Sequence, residues 1–251
     1  MIKKIYKKLF TAVRNSENYP MLSQHMNANI HALNSLNNLF GTDFNKYIPF
    51  TDYALSPYSI AHILNDLAIN LRKNIVEFGS GTSTIYVALF LQKHSAGQTF
   101  ISFDQDAAWQ QALKSNYLNG IPFNKNQHIK LIHAPLKITE YGKQDESKWY
   151  CEETVNKNIE KKVDCIIVDG PTGDVNKYSR YPVINFIANN LTDNGVVFVD
   201  DAYREDETVL IRELVKNHGF KKSSTLYHTV LSKGPSYFTR PIGDYLSQIK
   251  R

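Results

Sequence analysis

Five acidic residues, Glu77, Asp104, Asp169, Asp200 and Asp201, stand at or next to the end of an apolar run in this 251-residue chain. If those runs are parallel strands of one sheet, their ends emerge along one edge, and Asp169, Asp200 and Asp201 can converge there. Three carboxylate oxygens suit a hard divalent ion, Mg²⁺ by default. A carboxylate and a metal together also activate a hydroxyl, which is a poor nucleophile until its proton is removed. Asp169 is therefore the candidate catalytic base, and Asp169, Asp200 and Asp201 are the candidate metal ligands. The same acids can instead cap helices, since Asp200-Asp201 precedes a helical pattern starting near Arg204. Adjacent residues of an extended strand point to opposite faces, so this pair reaches one site only if the chain turns there.

The segment Asn74 to Ser83, NIVEFGSGTS, is the second chemical signal. An apolar strand runs into Gly79-Ser80-Gly81 and then Thr82-Ser83 ahead of an apolar helix. This is the place where α/β proteins hold nucleotide-like ligands on backbone N–H groups. Glu77, near the strand's end, would repel a pyrophosphate and welcome an amino group or a sulfonium. Asp104 follows Gly81 by 23 positions, about where a carboxylate reaches ribose hydroxyls. Thr84 occupies the place where a dinucleotide fingerprint carries a third Gly or Ala, and no P-loop lysine follows the turn. The expected ligand is a nucleoside with an amino-acid tail, not a dinucleotide or a triphosphate.

Positioning these groups requires alternating strands and helices, hence a mostly parallel sheet with crossover helices. Strands are expected at 74–78, 99–104, 129–134, 163–169 and 195–200. Helices are expected at 82–93, 106–119, 177–191 and 204–217. Two β-rich stretches, 220–231 and 236–240, would supply an antiparallel edge. Residues 135–162 read as a long loop or a small helical insertion. Upstream, residues 21–40 have helical spacing, and Ser56-Pro57 forms an N-cap and first-turn pair for a helix burying Ile60, Ile63, Leu64, Leu67 and Leu71. The chain divides into a helical extension, 1–73, that shapes an acceptor pocket or a dimer contact, and a catalytic domain, 74–251.

Hydrophobic residues make up 42% of the chain, enough for a packed core. Two cysteines, Cys151 and Cys165, have neither metal nor redox spacing, and neither a signal sequence nor a membrane-spanning run is evident. A cytoplasmic location is expected. The net charge of +5 comes largely from Lys3, Lys4, Lys7 and Lys8, leaving a nearly neutral body that argues against nucleic-acid binding. Those lysines lie opposite Ile2, Ile5, Tyr6, Leu9, Phe10 and Val13 on an amphipathic helix over 1–14. That pattern suits either a docking helix or peripheral contact with the inner membrane surface.

VEFGSGTS at 76–83, Asp104, VDCIIVDGP at 163–171 and GVVFVDD at 195–201 together resemble the class I S-adenosylmethionine-dependent methyltransferases. The resemblance implies a Rossmann-like doubly wound sheet of seven strands, the last antiparallel, with S-adenosylmethionine over the carboxyl ends of the first strands. By position, Gly79, Ser80 and Gly81 would line the methionine moiety, Asp104 would bind the ribose, and His133-Ala134 would lie near the adenine. The Asp and Asp-Asp arrangement is similar to metal-dependent O-methyltransferases of sugars and catechol-type acceptors. DGP followed by Arg180-Tyr181-Pro182, with Trp149-Tyr150 upstream, also resembles methyltransferases of surface polysaccharides. Arg180 would then meet an acidic substrate group, pair with Asp174 or cap a loop, and Tyr178, Tyr181, Tyr203 and Tyr237 would suit a sugar-stacking wall. The activity implied is O-methylation of a sugar, polysaccharide precursor or other small molecule. An N-methyltransferase, a non-catalytic binding protein and a nicotinamide-dependent oxidoreductase are the rivals.

Overall fold

Asn74–Phe78 (β1) is buried along nearly its whole length, as expected of a strand flanked on both sides and covered on both faces. The computed structural model describes residues 23–39, 46–94, 97–119, 121 and 128–243. In it β1 pairs in parallel with Thr99–Asp104 (β2) on one side and Val163–Val168 (β6) on the other. His128–His133 (β3) extends the sheet beyond β2, and Leu191–Asp200 (β7) extends it beyond β6. A hairpin of Lys221–Ser224 (β8) and His228–Ser232 (β9) closes the second edge, with β9 antiparallel to β7 and β8. The seven-stranded order is β3-β2-β1-β6-β7-β9-β8. It reverses between β1 and β6, and ligands of open α/β sheets bind at such a switch point, beyond the strands' carboxyl ends.

Helices cover both faces. On one side, α1 (23–37), α2 (Pro57–Ile69) and α3 (Thr82–His94) join the sheet in one apolar layer through Ala28, Leu36, Ile60, Leu67 and Leu89. The Ser56 side chain accepts from Ser59 N at 3.0 Å and Pro57 opens α2, the expected cap. On the other side, α6 (Val183–Asn190) and α7 (Glu205–His218) pack against Phe78, Val168 and Val199. The short helix α4 (Ala107–Leu113) follows β2 and runs into a π turn, Lys114–Leu118. Among the described residues no helix is long and apolar enough to cross a membrane. The amphipathic segment 1–14 lies outside the described residues.

Three expected elements differ. Residues 135–162 are not a plain loop: Leu136–Ile138 (β4) and Lys148–Tyr150 (β5) form an antiparallel pair, and Glu152–Asn158 (α5) follows. The helix expected from 177 begins only at Val183, because Tyr178 adopts φ +59° and Arg180 turns inward. Residues 236–240 form no strand. Side chains of α2 and the Asn70 that follows it hold them instead: Asn70 Oδ1 accepts from Tyr237 N at 2.8 Å, and Asn65 Nδ2 donates to Thr239 O at 3.0 Å.

Candidate active site

The site is assembled around two glycines. Gly79 leaves β1 with φ +99°, and a Cβ there would lie 2.7 Å from Gly170 N. Gly170, just beyond β6, faces it, and a Cβ on Gly170 would meet Tyr150 Oη at 2.3 Å and Gly79 Cα at 2.9 Å. Only glycine permits this approach of the two strand ends at the switch point. Gly81 differs, since a Cβ there meets nothing within 4 Å. Nothing in the chain demands glycine at 81, and the space it leaves open is available to a ligand.

Glu77 lies beneath the turn, fully buried, and its carboxylate accepts from Ser83 Oγ at 2.5 Å, Thr84 Oγ1 at 2.5 Å and Ser102 Oγ at 2.6 Å. Burial pushes its pKa up to about 7, against those hydroxyls, which lower it. This corrects its expected role as a ligand contact: the carboxylate is committed to the hydroxyls that shape the turn. Ser83 and Thr84 are likewise buried in that network, where Thr84 Oγ1 also accepts from Gly81 N at 2.8 Å. Thr82 points elsewhere, donating to Pro49 O at 2.8 Å and tying the loop before α2 to the start of α3.

Asp104 ends β2 with one oxygen accepting from Ser80 N at 2.8 Å and the other from Asp106 N at 2.8 Å. Each oxygen retains a second lone-pair direction. Burial pushes its pKa up, against these amide bonds. His133 pairs with Asp104 in the sheet register, and Ala134 N donates to Asp104 O at 2.8 Å. The expected ribose and adenine residues are thus brought together. Sequence reasoning missed Trp109 and Gln110, which complete this corner. The Trp109 indole donates to Ser80 O at 2.7 Å, and buried Gln110 donates to Ser80 Oγ and Ile132 O, both at 3.1 Å. Gln110 was the visible clue, a polar residue at an inward position of a short helix.

Asp169, Asp200 and Asp201 converge beside this corner. Asp201 adopts φ +53°, which supplies the turn that lets consecutive aspartates face one site. One oxygen from each of the three lies within 4.8 Å of the others, about the span across one divalent ion with oxygen ligands at ~2.4 Å. Burial is the main cause that raises Asp169 to about 6, with Arg180 opposing and Asp201 adding to it. Burial and the Asp169 and Asp201 charges push Asp200 well above the usual carboxylate range.

Arg180 lies inside the wall and pairs with Asp169 at 3.5 Å, Asp201 at 3.3 Å and Glu207 at 3.7 Å. It also donates to the Asp169 and Asp200 carbonyls. This corrects two of the three readings, since neither Asp174 nor a substrate anion is its partner: the guanidinium ties β6 to β7 and binds the Asp169, Pro171 and Asp200 carbonyls, as a loop-capping arginine does. Tyr181 is corrected too. It packs against the α6–α7 layer with the Lys143 ammonium 4.9 Å over its ring, away from the cleft. Tyr203 does line the cleft, 70% exposed. That cleft, of about 860 Å³, runs from the aspartates to Thr51–Ala54 and Ser56 of the segment before α2.

A sequence profile described as a methyltransferase domain matches residues 76–202, from inside β1 to just past the Asp200-Asp201 pair. The chain belongs to this methyltransferase family. The matched span holds the glycine turn, Asp104 and all three clustered aspartates of the methyltransferase. No curated protein sequence matches the chain. Among solved structures, the SAH-bound methyltransferase PaMTH1 of Podospora anserina is 15% identical, with 88% of this chain and 96% of that one covered and a TM-score of 0.54. An O-methyltransferase from Bacillus cereus in complex with SAH is 14% identical, covering 82% and 91%, with a TM-score of 0.52. At such identities the likeness concerns the fold, that of a Rossmann-like class I methyltransferase.

Proposed function

We propose that this methyltransferase uses S-adenosylmethionine to methylate a hydroxyl of a sugar or related small molecule. The carrying observation is the position of Asp169, a carboxylate raised to about 6, between the glycine turn and an open cleft. The residues present fit the cofactor: Gly81 leaves open space beside the turn, and Asp104 keeps lone pairs for ribose hydroxyls. Thr84 and the missing P-loop lysine disfavour dinucleotides and triphosphates. The solved neighbours carrying SAH support the same cofactor.

When bound, S-adenosylmethionine supplies an electrophilic methyl carbon: the acceptor oxygen bonds to it while the S–C electron pair stays on sulfur. Asp169, at the aspartate end of the cleft, takes the acceptor's hydroxyl proton as general base. Asp169, Asp200 and Asp201 would hold a divalent ion, Mg²⁺ by default, whose charge favours the acceptor's ionised form. Arg180 fixes the strand ends that carry these carboxylates, and Thr51–Ala54 close the far wall. The O-methyltransferase neighbour supports oxygen as the acceptor atom.

The test is transfer of labelled methyl from S-adenosylmethionine to a panel of hydroxylated acceptors. Turnover should be lost in Asp169→Ala and reduced by a chelator. Robust turnover that ignores both changes would overturn this role for Asp169 and favour the N-methyltransferase.

A further inference from the structure

The charge of the cleft speaks to its acceptor. Besides the three clustered aspartates, Asp52, Asp174, Glu205, Asp206 and Glu207 line it, and the basic groups lining it are Arg180 and Arg204. Both are already engaged: Arg180 with Asp169, Asp201 and Glu207, and Arg204 with Asp201 at 2.9 Å. With Asp200, pushed well above the usual carboxylate range, set aside, the other seven carboxylates against two guanidiniums leave a formal excess of five negative charges, more than one divalent ion offsets.

Glu207 gives an independent indication of a ligand. It lies in the cleft wall only 3% exposed, and its Oε2 has no hydrogen-bond partner. A buried carboxylate oxygen left unpaired is costly unless something outside the chain satisfies it. The rim adds two exposed phenol rings, Tyr53 at 87% and Tyr203 at 70%. The Tyr203 ring already carries the Arg204 guanidinium 5.9 Å from its centroid, as a cation-binding face does.

Building on the methyltransferase reading, we infer that the acceptor is cationic: a hydroxylated molecule bearing a protonated amine, such as an amino sugar or amino alcohol. The amine lies among Asp52, Asp174 and Glu207, and a hydroxyl reaches Asp169. Surrounding carboxylates favour the protonated amine, which has no lone pair to attack a methyl group. Transfer is therefore directed to oxygen, with the hydroxyl proton passing to Asp169 as before. Acidic acceptors such as uronates are repelled.

The experiment is calorimetric titration of the full-length protein with glucosamine, glucose, glucuronate and spermidine, in the presence of Mg²⁺, with and without S-adenosylhomocysteine. Glucosamine and spermidine should bind, glucose about tenfold more weakly than glucosamine, and glucuronate not at all, with amine affinity falling as salt rises. The exposed-site substitutions Asp52→Asn and Asp174→Asn should each weaken spermidine about threefold, the effect of one unit charge several ångströms away in a largely aqueous medium. Glu207→Gln should weaken it further. Glucuronate binding as tightly as glucosamine, failure of both amines to bind, or amine affinity indifferent to all three substitutions would each overturn the inference. Failure of S-adenosylhomocysteine to bind would instead count against the methyltransferase reading, while the amine titrations still decide the charge preference.

Discussion

Replacing Asp169 by Asn keeps the side chain's shape and removes one negative charge from a crowded corner. In the folded protein burial raises this carboxyl from 3.8 to about 6. A raised carboxyl is more costly to ionise in the folded than in the unfolded state. It is therefore neutral in its effect below pH 3.8, increasingly destabilising as pH rises, and fully destabilising above about 6. At ~1.4 kcal/mol per pH unit of that interval the cost reaches about 3 kcal/mol. That cost already includes the opposing Arg180 charge 3.5 Å away, and with an imperfect fit of the amide in the same space the expected net gain is about 1–3 kcal/mol. For a chain of this size that is a rise in Tm of roughly 3–9 °C. Thermal unfolding of both proteins at pH 8 and pH 4 is the assay, since the gain should be present at the first and largely gone at the second. Added Mg²⁺ should raise the wild-type Tm and leave the variant nearly unmoved. A variant less stable than wild type at pH 8, or a gain unchanged at pH 4, would refute the reasoning.

Other substitutions separate scaffold from site. Glu77→Ala strands three buried hydroxyls and should cost about 3–5 kcal/mol in urea unfolding, whether or not ligand is present. Gly170→Ala drives a methyl into Tyr150 Oη and should lower stability by at least about 2 kcal/mol. Adding Tyr150→Phe, which removes the obstructing oxygen, should restore part of that loss. The buried pair His62 and His228, joined by a 2.8 Å hydrogen bond, predicts acid sensitivity. Burial, with Arg240 adding to it, lowers His62 from 6.5 to about 3. Its contribution is thus present above pH 6.5 and lost as pH falls towards 3, by up to about 4–5 kcal/mol. His62→Gln should flatten the stability profile over that range in chemical denaturation.

The fold was largely legible because each central strand is a mostly apolar run, broken by at most one polar residue inside it, and the helices follow polar, proline or glycine breaks. Asp104 and the glycine turn were legible for the same reason, since both sit at fixed offsets from those runs. Arg180 was not: its partners depend on how 170–182 folds back across two strand ends, and residue type alone does not tell a surface arginine from a buried clamp. Glu77 misled because its three hydroxyl partners come from two elements 6 to 25 residues away in sequence. The Asp200-Asp201 pair could not be resolved from the pattern, because one positive φ at Asp201 decides whether both side chains share a site. Trp109 was hidden for a different reason: it lies on the first turn of a helix of seven residues, too short for a periodic pattern to mark its inward side.

The central claim is that the glycine turn and Asp104 hold a nucleoside with an amino-acid tail. Calorimetric titration with S-adenosylhomocysteine, with NAD in comparison, tests it most directly. Micromolar binding of S-adenosylhomocysteine alone, lost in Asp104→Ala while the thermal transition stays cooperative, is the expected result. Binding of NAD in its place, or of neither, would contradict it.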